Sequence, residues 1–434
     1  MSAPSGVTTA PVPRWRQVLA TFTAPSALTL FFLGFGCGLP FLLVGYTLSI
    51  WLRDVGLELG AIGLISYISL FYTLKFVWAP LVDWIKLPGF GRLGRRRGWL
   101  LAAQIAVCLS LAAMGWTGPL PALTPFLALM AMMTFSGATQ DIVVDAYRIE
   151  IAPDEAQGAL AATYSFGYRL GLICGGAGAL YLADVSGWRT AYLVMAALML
   201  LPMIALLMSP EPVPRAIIAA PRSLRAAVDA FSGPFVEFFS RNGWLLAVML
   251  LAFVGLFKLP DQILGVVLGP FYRDVGFSKT EIATVSKLYG VWIGLAGAFF
   301  GGIAVAAFGS RRLLLPAAVV VSLSNLLFIL MSVYPGEMWT FVLAISGDNF
   351  AQGFSGTVLI AYMSALASKH YTATQYALLS SLANLPGKLL GGVSGFMVQA
   401  WTFTGFFIFT TLSIIPTLWL LYWLSRREQR EPAA

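Results

Sequence analysis

Two carboxylates and a guanidinium interrupt an apolar run in the stretch Ser136-Gly-Ala-Thr-Gln-Asp-Ile-Val-Val-Asp-Ala-Tyr-Arg-Ile-Glu150. Asp141, Asp145 and Arg148 recur at i, i+4 and i+7, which is one face of a helix, and Gln140 lies beside that face. A charge held at bilayer depth costs about 3 kcal/mol on insertion scales. The stripe must therefore turn to a polar interior, where ionisable groups are functional candidates. A buried carboxylate whose base neighbour comes and goes can take up and release a proton. Asp141, Asp145 and Asp348 are the candidates for that chemistry. Asp145 and Arg148, near the end of their helix, fit a gating ion pair equally well.

The other charges embedded in apolar segments are Lys75, Arg169, Lys258, Lys287 and Lys388, with the acids Asp261 and Asp348. With at least as much positive as negative charge, such a chamber suits an anionic, hydrophilic ligand held by charge-assisted hydrogen bonds. Lys75, Arg169, Lys258 and Lys388 are the candidate anchors, joined by Gln140, Tyr72, Tyr168, Asn349 and Gln352. The alternative is internal neutralisation, for which Lys258 and Asp261, at i and i+3, are best placed. Tyr72 and Tyr168, like Tyr46, Tyr164, Trp78 and Trp292, are suited to stacking on sugar rings or equally to helix packing. Gln352 and Ser355 share the face of Asp348. Cys37, Cys108 and Cys174 lie in apolar segments without metal-ligand spacing, and no metal site is expected. His370, beside Lys369 in a loop, is not expected to relay protons. No nucleophile–base set and no phosphate-cradling loop is present, so an enzyme is not expected and no cofactor is called for. An ion or substrate gradient must supply the driving force.

These residues need oily rods to carry them. The 434 residues are 59% hydrophobic and 11% charged, with a mean hydropathy of +0.82. Soluble proteins carry roughly 25% charged residues, so the chain belongs in lipid. Spans of about 20 apolar residues fall at 27–50, 61–82, 98–117, 122–147, 158–183, 188–208, 244–270, 281–307, 312–333, 338–366, 374–399 and 402–424. The runs are continuous, which excludes a barrel. At and beyond the span ends, the lysines and arginines crowd the side of both termini, leaving Arg53, Arg189, Arg273 and Lys279 on the other. Both termini are expected in the cytoplasm. The net charge of +8 reflects this loop asymmetry and does not point to nucleic acid. Expected segments are a cytoplasmic tail (1–26), without a signal-peptide pattern, a six-helix bundle (27–208) and a cytoplasmic linker (209–243). A second six-helix bundle (244–424) and a tail (425–434) follow. The linker contains an amphipathic stretch, with Arg222 and Arg225, that fits either the membrane surface or a solvated connection.

The halves repeat. Trp51-Leu-Arg-Asp-Val-Gly56 returns as Phe271-Tyr-Arg-Asp-Val-Gly276, and Gly94-Arg-Arg-Arg97 as Gly309-Ser-Arg-Arg312. Ala146-Tyr147 is answered by Ala361-Tyr362, and Gly175-Gly176 by Gly391-Gly392. A parallel six-plus-six duplication, each half built of inverted three-helix units, is the layout of major facilitator transporters. The charges obey it. The third helix of each unit (3, 6, 9, 12) has an uncharged apolar core; each second helix carries one base; the acids sit on first helices. First and second helices are thus expected to line a central cavity, with third helices in lipid. Asp83 at the end of helix 2, with Arg95 and Arg96 beyond it, is expected to latch a cytoplasmic gate together with Arg148. The glycines Gly34, Gly36 and Gly38 and the pair Pro386-Gly387 predict close packing and local bending.

The run Tyr72-Thr-Leu-Lys-Phe-Val-Trp-Ala-Pro-Leu-Val-Asp83 is followed by Leu93-Gly-Arg-Arg-Arg-Gly-Trp99, Ser136–Asp141, Asp145-Ala-Tyr-Arg148 and Gly167-Tyr-Arg-Leu-Gly171. Together these resemble the AmpG-type muropeptide permeases, most specifically in the N-terminal half. The resemblance implies an all-α membrane protein of twelve helices in two halves related by a pseudo-twofold axis. It also implies proton-driven import of anhydro-muropeptides across the bacterial inner membrane, serving peptidoglycan recycling and β-lactamase induction, hence antibiotic resistance. The partner would be an anionic sugar-peptide (GlcNAc-anhydroMurNAc with or without peptide), carried by a monomer among membrane lipids. Ala138, Thr139, Gln140 and Asp141, and the region Gly34–Gly38, map onto parts that family associates with transport. Relatives of the family also include siderophore importers and acetyl-CoA-type carriers, which remain the alternative.

Overall fold

The computed structural model describes residues 25–151, 157–212, 232, 236–366 and 372–430. The N-terminal tail, the amphipathic linker stretch around Arg222 and Arg225, and His370 lie outside the described residues. Everything described is helix or turn, with no strand among the described residues. A chain in lipid must satisfy its backbone groups internally, and helices do so.

Twelve rods result, at the places the apolar runs indicate. They are α1 (Pro25–Asp54), α2 (59–84), α3 (Arg95–Thr117), α4 (Leu123–Ile151), α5 (157–186) and α6 (188–208), then α7 (244–274), α8 (279–308), α9 (Ser310–Val333), α10 (Met338–Leu366), α11 (372–401) and α12 (403–430). By length and composition, seven helical stretches could cross a membrane, two of them, Thr163–Met208 and Ala383–Leu424, running on for 46 and 42 residues. Each of these two is a pair of rods joined at a residue with positive φ, Gly187 (φ 83°) or Thr402 (φ 60°). The rods α2, α7 and α10 complete the twelve: α2 and α7 are broken into shorter segments, and α10 carries the polar group around Asp348.

The breaks sit where rods border polar space. α2 tightens at Tyr67–Ser69 and Lys75–Val77, α7 breaks at Lys258 just before Pro260, and α11 contains Pro386. α5 and α8 each carry a widened π turn, at Cys174–Gly178 and Ala283–Tyr289. Irregular backbone at membrane depth is tolerated where protein or a wet cavity surrounds it, and π turns often mark functional positions.

Glycines set how closely rods approach. A side chain at Gly34 or Gly38 of α1 would strike the Tyr164 or Tyr168 carbonyl of α5. One at Gly167 or Gly171 would strike the Phe31 or Phe35 carbonyl in return. The close-packing expectation for α1 is thus met by backbone-to-backbone contact. The third rods, α3, α6, α9 and α12, expose Leu109, Ile204, Leu323 and Trp419 outward and contribute no residue to the central cavity.

The halves close on each other at the face bearing the α1–α2 and α7–α8 turns. The duplicated Arg-Asp pairs exchange partners there. Arg53 donates Nε and Nη2 to the two oxygens of Asp274, both at 2.9 Å. Arg273 donates Nε to Asp54 Oδ1 at 3.1 Å, and Lys279 donates to Asp54 Oδ2 at 3.0 Å. Trp188 Nε1 also donates to Asp54 Oδ2, at 3.0 Å. The glycine ending each motif explains itself: Gly56 (φ 89°) and Gly276 (φ 104°) take the left-handed conformation that closes a helix. Below this latch α2 crosses α11, where side chains at Gly63 and Gly395 would strike the Gly392 and Leu59 carbonyls.

Candidate functional site

Between the halves lies a cavity of about 490 Å³. Its wall is drawn from α1, α2, α4, α7, α8, α10 and α11, that is, from first and second helices of the units. The two sides differ in chemistry. The N-terminal half presents rings and hydroxyls: Phe41, Tyr46, Ser49, Ser66, Ser69 and Tyr72. The C-terminal half presents carboxamides and charges: Gln262, Asn349, Gln352 and Asn384, with Asp261, Asp348, Lys287 and Lys388.

A smaller recess of about 320 Å³ adjoins it, sharing Asn349 and Gln352 and reaching Arg169. Arg169 and Asp145 are both exposed although each sits inside an apolar rod.

Lys75 Nζ lies 3.3 Å from Asp141 Oδ2, and Asp145, one turn further along α4, lies within reach of the charges of both Lys75 and Arg148. The second oxygen of Asp141 is buried without a protein partner, as is the Tyr72 hydroxyl nearby. On the other side, Asp348 accepts from Gln352 Nε2 at 2.8 Å, while its Oδ1 is buried without a protein partner. Asp348 feels the charges of Asp261 and Lys287. The Lys287 ammonium stands 3.2 Å from the centre of the Tyr46 ring, and Tyr46 shares a hydrogen bond with Ser286, both across the seam. Gln262 donates to Asn384. Lys388 donates to the Ser69 carbonyl of the opposite half at 3.4 Å. An orphaned buried polar atom costs about 1–3 kcal/mol, a cost carried here by one oxygen each of Asp141 and Asp348.

A cavity between two duplicated bundles, charged groups on its wall and one closed face form the plan of an alternating-access carrier. The sequence model of the Major Facilitator Superfamily matches residues 27–260. The chain belongs to that superfamily. It is 36% identical over 408 residues to the anhydromuropeptide permease of Escherichia coli K12, covering 93% of this chain and 81% of that protein. It is also 36% identical over 401 residues to a Rickettsia conorii chain carrying the transporter name AmpG 4, covering 92% of this chain and 96% of that one. Among solved structures, a D-xylose–proton symporter superposes with a TM-score of 0.65 at 15% identity over 93% of this chain and 97% of that one. A bacterial homologue of the human lysosomal transporter Spinster gives 0.65 at 16% identity, over 96% and 98%. These two share the fold. The protein is an AmpG-type permease, a multi-pass membrane transporter and not an enzyme.

Of the residues singled out in the permease's sequence, Tyr72, Asp348, Asn349, Gln352 and Lys388 meet in the main cavity, and Arg169 in the adjoining recess. Gln140 does not join them: it is fully buried, donates to Cys37 Sγ at 3.4 Å, and packs beside Gly36 of α1. Tyr168 lies half-buried beside Tyr164, within reach of the Asp141 charge but off the cavity wall. Lys258 sits at the break of α7 and faces the charge of Asp261, as internal neutralisation requires. Arg95 and Arg96 reach Glu150 of α4, with Arg96 Nη2 at 2.7 Å, so in this conformation they bind α3 to α4 within one half. The side chain of Asp83 lies outside the described residues. Sequence reasoning passed over Gln262 and Asn384 and the acids Asp54, Asp274, Glu150 and Glu211. The repeated Arg-Asp pair was the signal for Asp54 and Asp274.

Proposed function

We propose that this permease imports anhydro-muropeptides, GlcNAc-anhydroMurNAc with or without its peptide, across the bacterial inner membrane in symport with protons. Such a solute is rich in hydroxyls and amides and carries carboxylates. One observation carries the reading: a single cavity joins a wall of rings and hydroxyls to a wall of carboxamides and lysines. Rings and hydroxyls suit sugar faces; amides and ammonium groups suit peptide bonds and carboxylates. The name of the Escherichia coli relative points the same way.

With both termini in the cytoplasm, as the loop charges indicate, the latched face is periplasmic and the cavity opens inward. The proton coupling is assigned to Asp141, held by Lys75 and relayed toward the aqueous side by Asp145. Protonating Asp141 releases Lys75, and loss of the proton restores the pair, so the charge held between α2 and α4 changes with the transport step. Asp348, beside Lys287, offers a second protonation site on the opposite half. The driving force is the proton gradient, without a cofactor, and the carrier works as a monomer.

The test is uptake of radiolabelled disaccharide-tripeptide into inverted and right-side-out vesicles, with and without a pH gradient. Accumulation that collapses with the gradient supports the reading. Uptake of a ferric siderophore or acetyl-CoA in its place refutes it.

A further inference from the structure

The cations along the pathway are not equivalent. Lys75 is held by Asp141 at 3.3 Å. Lys287 is held between the Tyr46 ring and the charge of Asp348. Lys388 meets only a backbone carbonyl, that of Ser69, and Arg169 has no acidic partner among the described residues. Among the described residues, Lys388 and Arg169 thus lack an acidic partner, and they stand in different chambers: Lys388 on the main cavity wall, Arg169 in the recess.

Asn349 and Gln352 line both chambers. Each carboxamide spends one N–H within its own helix, on the Ile345 carbonyl at 3.0 Å and on Asp348 at 2.8 Å. The carboxamide oxygens remain to accept from a ligand. Gly290, Gly294 and Gly353 also line the recess; their missing side chains let α8 and α10 pack closely, since one at Gly353 would strike the Gly294 carbonyl and one at Gly290 the Asn349 carboxamide. Peptide N–H groups find acceptors in the two carboxamides, and a terminal carboxylate finds a planar guanidinium able to bind it through two hydrogen bonds.

We infer that the recess is a second subsite, in which Arg169 holds the carboxylate end of the peptide stem while the sugar end occupies the main cavity near Lys388. This rests on the muropeptide reading and adds to it a division of the ligand between two chambers. Arg169 is then a specificity residue: it matters for ligands that carry a peptide and is silent for those that do not.

The experiment is equilibrium binding to the purified full-length permease, measured with the disaccharide alone and with the disaccharide-tripeptide. The wild type is expected to bind both, the peptide form more tightly. R169Q is expected to weaken the peptide form about tenfold or more and leave the disaccharide unchanged, while R169K recovers part of the loss. K388Q weakens both ligands. Arg169 is exposed, so these variants are expected to fold, and unchanged disaccharide binding reports that directly. Equal weakening of both ligands by R169Q, or no effect on either, overturns the subsite and leaves the muropeptide reading standing. A wild type that binds neither ligand overturns both.

Discussion

Breaking the crossed Arg-Asp latch is expected to open the sealed face, by an amount the geometry bounds. Arg53 and Asp274 form a two-pronged pair whose side chains are 32% and 25% exposed. Exposed pairs contribute about 0.2–1 kcal/mol, and two parallel bonds place this one near the top of that range. Asp54 is more enclosed, at 15%, and holds Arg273 and Lys279 together. Removing it strands two cations, a loss of about 1–2 kcal/mol. If the latch exists only in this conformation, Arg53→Ala raises the ratio of open to closed outer face about fivefold, and Asp54→Ala between about fivefold and thirtyfold. The reporter is Ser66→Cys, on the cavity wall, in a chain whose Cys37, Cys108 and Cys174 are replaced by alanine. A membrane-impermeant maleimide is applied from the side of Arg53. Labelling should rise in the order wild type, Arg53→Ala, Asp54→Ala. The exchange Arg53→Asp with Asp274→Arg should bring it back toward the wild-type rate, because the pair re-forms with its charges reversed. Labelling that is the same in all variants would refute the latch. A double exchange labelling faster than either single substitution would show that repulsion from neighbouring charges outweighs the pair.

Other outcomes follow from the same geometry. Asp141→Asn should leave ligand binding in place but remove the response of uptake to a pH gradient, since the partner of Lys75 can no longer ionise; gradient-driven accumulation that persists would transfer the coupling to Asp348. Glu211 accepts the Arg96 and Arg97 backbone N–H groups at 2.8 and 2.9 Å, capping the start of α3. Glu211→Ala should therefore cost about 1–2 kcal/mol, read as a lower unfolding midpoint in detergent, with Glu211→Gln losing less; an unchanged midpoint would remove the capping role. Gly63→Leu puts a side chain where the Gly392 carbonyl of α11 lies, so it should hold the outer face open, raising Ser66→Cys labelling while abolishing uptake. Wild-type labelling in that variant would mean that α2 and α11 can part without opening the path.

The order of the rods, their duplication and the sorting of charges onto first and second helices are all present in the one-dimensional chain. They follow from a local rule: lipid penalises each polar group wherever it stands, so hydropathy along the chain reports burial directly. The cavity wall drawn from those helices, and the outward third rods, are consequences of the same rule. Partnership is a different matter. Lys75 meets Asp141 across 66 positions, and Arg53 meets Asp274 across 221. Gln140, beside the acidic stripe, turns to Cys37 instead, and Arg96 chooses Glu150. Helical spacing says which residues share a face. It does not say how far each rod is rotated or where it crosses its neighbour, and those are set by the backbone contacts at Gly34, Gly38, Gly63 and Gly395. Tertiary packing therefore decided which charges are neutralised between rods, like Lys75 by Asp141, and which, like Lys388 and Arg169, have no acidic partner among the described residues.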